Sequence, residues 1–102
     1  MEISPERMNM WVPAPGTIVR MKRGFDNSRE ASALARAGVD ELKEGKLYEV
    51  LEYIQNPEQR ALRLQEVEIT YIGGKQHKKV TRIIPFTPKL DFFEPAREHY
   101  DT

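Results

Sequence analysis

The pair Gly73-Gly74 constrains this chain more than any other feature. It stands between two stretches of strand-like residues, Ala61–Ile72 and Lys75–Ile84. A two-residue hairpin loop needs positive φ at its centre, and glycine adopts that without a steric cost. The two stretches are therefore expected to pair antiparallel, with Ile72 facing Lys75. That register sets Val67 against Val80 as a core pair and Glu68 against Lys79 as an exposed ion pair, worth at most about 1 kcal/mol. The apolar pattern along the first arm changes phase. Leu62 and Leu64 keep one parity, and Val67, Ile69 and Tyr71 keep the other. A β-bulge at Gln65-Glu66 would turn both sets onto one core face, because one extra residue reverses side-chain direction.

The other elements follow from local signals. Residues 17–23 read as a first strand, with Ile18, Val19 and Met21 apolar and Arg20 and Lys22 on the alternate face. Asn27 and Glu30 have capping-box spacing ahead of an alanine-rich helix over 29–37, which Gly38 stops. Its narrow stripe of Ala31, Leu34 and Ala35 suits a helix lying on a sheet edge. Residues 47–54 read as a second strand covered on both faces, and Asn56-Pro57 opens a loop. Pro85 and Pro88 end the hairpin arm. A 3₁₀ turn is expected over 88–90, then a short strand over 91–94 closed by Pro95. Residues 1–15 form an N-terminal arm, with a helix entry at Ser4-Pro5 and Trp11 packed onto the sheet. Residues 16–95 form one domain, and 96–102 a polar tail.

A chain of 102 residues fits one such domain. No apolar run reaches the roughly 20 residues that a bilayer requires, and the first residues lack the apolar stretch of a secretory signal. A cytoplasmic protein with no membrane partner is expected. The absence of cysteine excludes disulfides, thiolate nucleophiles and cysteine-based zinc sites. Sixteen bases balance sixteen acids, which argues against a globally basic nucleic-acid binder. The balance is a cancellation between segments, however. Residues 70–90 carry five bases and no acid, so a local field survives.

Five short strands, a long first loop, a tight central hairpin and a 3₁₀ turn before the last strand resemble an SH3-like barrel. Gly45-Lys46-Leu47-Tyr48-Glu49-Val50 resembles the GK-x-Y-x-V opening of a strand in small SH3-like proteins of phages and prophages. Phe86 to Phe92 resembles their F-x-P-x-x-F element, with the final phenylalanine one position late. The resemblance spans about residues 16–95. It implies a mainly β, SH3-like five-stranded barrel with one short α-helix inserted in the first long loop, in a phage or bacterial context. The helix over 29–37 either covers a peptide groove of that fold or forms part of it.

No arrangement of residues points to catalysis, and no cofactor is expected. Asp40, Glu41 and Glu44 beside Lys43 and Lys46 read as a solvated turn. Ser28 and Ser32 have no histidine near them in sequence. His77 and His99 lie far apart and read as surface residues rather than metal ligands. Gly73-Gly74-Lys75 lacks the spacing of a phosphate loop. A non-enzymatic module that binds a protein is the expected function. SH3-like barrels present aromatics from their long loops and 3₁₀ turn. Trp11, Phe25, Tyr53 and Phe93 are the candidate contacts, the last as a phenylalanine left outside the core. The alternative is an RNA- or DNA-binding accessory protein using Tyr71, Lys75, His77, Lys78, Lys79 and Arg82. Strand parity places Lys75, His77 and Lys79 on one face, and Lys78 and Arg82 on the other. A structural oligomer subunit is a further alternative.

Overall fold

The computed structural model describes residues 11–55 and 57–96. The protein is mainly β. Strands β1 (Ile18–Met21), β2 (Leu47–Gln55), β3 (Arg60–Ile72), β4 (Lys75–Ile83) and β5 (Phe93–Pro95) form one antiparallel sheet in the order β4-β3-β2-β1-β5. Helix α1 (Arg29–Arg36) lies between β1 and β2, and 3₁₀ turns occupy Phe25–Asn27 and Leu90–Phe92. Among the described residues no ladder joins β4 to β5, so these two strands are the edges of the sheet. The expected helix entry at Ser4-Pro5 and the tail from residue 97 onward lie outside the described residues.

The hairpin adopts the register that its glycines imply. Ile72 faces Lys75, Glu68 faces Lys79 and Val67 faces Val80, with φ of 60° at Gly73 and 79° at Gly74. The expected phase change is present at Glu66/Val67, but the extra residue is on the opposite strand. Glu66 faces Arg82 and Val67 faces Val80, which leaves Thr81 as the bulged position on β4. β3 is therefore continuous, and its two apolar sets stay on opposite faces of the sheet. Leu62 and Leu64 join Val19, Tyr48, Val50 and Phe93 in the main core. Val67 and Ile69 join Ile18, Leu47 and Ala96 in a smaller cluster on the other face. The expectation of a single shared core is corrected accordingly.

Two local boundaries differ from the sequence reading, each for a visible reason. The helix is capped by Ser28, not Asn27: Ser28 Oγ accepts a hydrogen bond from Ala31 N–H at 3.1 Å. Asn27 belongs to the preceding 3₁₀ turn, its N–H donating to Gly24 O at 3.1 Å, whereas Ser28 has the extended backbone that an N-cap needs. The second 3₁₀ turn begins at Leu90 because Pro88 O accepts from Leu62 N–H at 3.0 Å and Lys89 bridges to Ala61. The chain is held straight there, and β5 starts two residues later than expected.

The loop after α1 is held by one buried phenol. Tyr48 Oη donates to Glu41 O at 2.8 Å and accepts from Lys43 N–H at 3.1 Å, while Leu42 packs into the main core. Burial pushes the Tyr48 phenol up from 10.0 to about 12. A pKa raised on folding contributes stability that is complete below the unfolded value and is lost as pH rises through the folded one. The melting temperature should therefore hold to about pH 10 and decline toward pH 12. Tyr48→Phe should lower stability at neutral pH by about 1–2 kcal/mol, through two lost hydrogen bonds, and flatten that alkaline decline. Thermal melts of both proteins across alkaline pH check this.

Candidate interaction surface

Every residue of β4 is exposed. Among the described residues the strand pairs with β3 alone, and its other edge is open. The distal part of β3, from Thr70 to Ile72, is exposed as well. Four large apolar side chains are exposed on this hairpin: Tyr71, Ile72, Val80 and Ile83. Ile72 and Ile83 are the most open, at 65% and 68%.

The cations of β4 are divided between two faces. Lys75, His77 and Lys79 stand opposite Ile72, Thr70 and Glu68. Gln76, Lys78 and Val80 stand opposite Tyr71, Ile69 and Val67, on the face of the smaller apolar cluster. The Thr81 bulge reverses parity beyond Val80. Arg82 therefore faces Glu66 and shares the face of Lys75, His77 and Lys79, not that of Lys78. The sequence parity, which assumed a regular strand, is corrected on this point.

The two faces differ in how their charges are satisfied. Lys78 Nζ lies 2.7 Å from Glu49 Oε2, and Gln65 Nε2 donates to Glu49 Oε1 at 2.8 Å. Burial acts to raise the Glu49 carboxyl, but these two hydrogen bonds and the lysine charge outweigh it and hold it below its ordinary value. Glu66 behaves alike. Burial opposes its ionisation, while Thr81 Oγ1 donates to Oε2 at 2.7 Å and Lys46 Nζ lies 3.1 Å from Oε1, and its carboxyl is lowered. Arg82 reaches Asp40 at 3.5 Å. Among the described residues no acid forms an ion pair with Lys75, His77 or Lys79. The Glu68–Lys79 pair expected from the sequence is a register neighbour without an ion-pair contact.

The aromatic candidates are placed differently. Phe93 is 1% exposed and packs edge-on against Tyr48, with ring centroids 5.9 Å apart. It cannot be a surface contact, because its pairing with Met21 on β1 directs it into the main core. Phe25 is buried as well, its ring 5.2 Å from that of Phe92. Trp11 and Tyr53 are half-buried against the main core. Phe25 and Phe92 border a shallow depression of about 300 Å³, shared with Lys22, Arg23, Glu30 and Asp91. The four candidates thus form no common exposed surface. The basic set from Tyr71 to Arg82 does share one hairpin.

The expectation of Val80 as a core partner of Val67 is corrected: the two are in register, but Val80 stands on the edge strand and keeps 45% of its surface exposed, and sequence reasoning did not single out Ile83 at 68%. No local sequence signal marks them, because the pairing of the strands sets the bulge that turns this arm. Val80 faces Val67, and Ile84 N–H donates to Leu64 O at 3.1 Å, so four steps on β4 span three on β3. Among the described residues no group of three or more His, Asp or Glu is placed to hold a metal ion, and no helix is long and apolar enough to cross a membrane. Comparison of the chain with family models, with curated proteins and with solved structures gives no match.

Proposed function

We propose that this chain is a non-enzymatic module that binds another protein through the β3–β4 hairpin. The carrying observation is the full exposure of β4 at an open sheet edge, with apolar and cationic side chains together. A cytoplasmic setting and a phage or prophage source belong to this reading. So does an SH3-like barrel, supported by the order β4-β3-β2-β1-β5 and the 3₁₀ turn before β5. The helix inserted after β1 lies on the main core through Ala31 and Leu34, with no residue fully buried.

Nucleic-acid binding is the second reading, favoured by the six residues from Tyr71 to Arg82 on one hairpin. Their division between faces weakens it. The one aromatic, Tyr71, is opposite in face to Lys75, His77 and Lys79, while single-strand binding relies on aromatic stacking beside a cationic groove. The test compares the wild-type chain with Lys75→Glu/Lys79→Glu. Both should melt at the same temperature, since exposed substitutions of this kind change stability by only about 0.5 kcal/mol. A protein ligand retained by the wild type after nuclease treatment, and lost by the variant, supports the first reading. Retention of nucleic acid with a steep salt dependence supports the second. A ligand held equally by both proteins overturns the hairpin interface.

A further inference from the structure

We infer that the open edge of β4 accepts an extended acidic segment of a partner protein as an added strand. This rests on the protein-binding reading above and specifies its chemistry. The two-residue turn makes Ile72–Lys75 a hydrogen-bonded pair, and antiparallel pairs alternate from there. The backbone groups of Lys75, His77 and Lys79 are thus directed to β3. Those of Gln76, Lys78 and Val80 are directed outward. The inward bond of Ile84 to Leu64 fits the same alternation across the bulge. The free edge between residues 75 and 80 offers about 20 Å of donors and acceptors, enough for a segment of about six residues.

Side chains on the two faces specify the segment. Lys75, His77 and Lys79 lack ion-paired acids among the described residues, so every second residue of the added strand should be acidic. On the other face Lys78 is already held by Glu49, and exposed Val80 lies beside it. The intervening residues should therefore be apolar and β-branched. Edge lysines also discourage pairing, and that alone would explain a basic edge strand. It does not explain Val80 and Ile83, which leave 45% and 68% of their surface exposed on that same strand. A second copy is a poor occupant. A two-fold axis normal to the sheet sets the same face against itself, so the lysine-bearing face of one β4 would oppose that of the other.

The test titrates the full chain, labelled with ¹⁵N, with a capped peptide of about eight residues alternating Glu and Val. Gln76, Lys78 and Val80 amides should shift and gain protection from exchange. Lys75→Glu/Lys79→Glu should bind about tenfold more weakly, equivalent to roughly 1.4 kcal/mol. A peptide N-methylated at alternate residues along its pairing edge should not bind, because it keeps the charge and loses the ladder. Equal binding of that peptide overturns the inference. So does a concentration-dependent dimer that already protects the edge amides. Shifts at Lys75, His77 and Lys79 without edge protection overturn strand addition and leave the hairpin interface standing. Hairpin shifts with single-stranded oligothymidylate but not with the peptide transfer the surface to nucleic acid. Silence of the hairpin toward both ligands overturns the inference together with the reading beneath it.

Discussion

Phe93→Ala should cost about 3–5 kcal/mol of stability, the usual range for truncating a buried phenylalanine. For a chain of this length that is a fall in melting temperature of more than about 10 °C. The side chain is 1% exposed and meets Tyr48 edge-on, with Val19, Met21 and Leu64 in the same core cluster. β5 is three residues long and, among the described residues, pairs with β1 alone, so little backbone pairing offsets the lost packing. A surface-contact role predicts the opposite pattern, with lost binding and an unchanged melt. Tyr71→Ala supplies the contrast. Tyr71 is 47% exposed on the hairpin, and its truncation should change stability by no more than about 1 kcal/mol. Thermal or urea melts of the two variants separate core from surface directly.

The second large effect concerns the two faces of β3. Leu64→Ala should cost about 2–5 kcal/mol, since Leu64 is fully buried in the main core. Ile69→Ala should cost about 1–2 kcal/mol, because Ile69 is only half covered by the smaller cluster of Ile18, Val67 and Ala96. The costs should add in the double variant to within about 0.5 kcal/mol, as separated sites do. Strong coupling between them would mean that both side chains share one core. That is the arrangement a bulge on β3 would have produced.

The hairpin was legible in the sequence because glycine at positive φ leaves few turns to choose from. Gly73-Gly74 determined the register of every pair from Ile72–Lys75 to Val67–Val80. The bulge was legible in position but not in ownership. A phase change between Leu64 and Val67 is equally consistent with an extra residue on either strand or with two separate clusters. Deciding among these needs Ile84, whose backbone is tied to Leu64 from beyond the hairpin arm. The aromatics were the weakest inference. Phe92 and Phe93 are sequence neighbours, and local pattern alone does not say which one a three-residue edge strand turns inward. Pairing of Met21 with Phe93 decides it. Nothing local in the sequence marks Glu49, because its partner Lys78 lies 29 positions away on a strand two places along the sheet.

An open β4 edge underlies both the proposed interface and the added strand, and amide hydrogen exchange in the isolated protein tests it residue by residue. Lys75, His77 and Lys79 should exchange slowly, their N–H groups bonded to β3. Gln76, Lys78 and Val80 should exchange fast, with N–H groups in water. Uniform slow exchange along β4 would mean that the edge is already covered, and neither the interface nor the added strand would survive it.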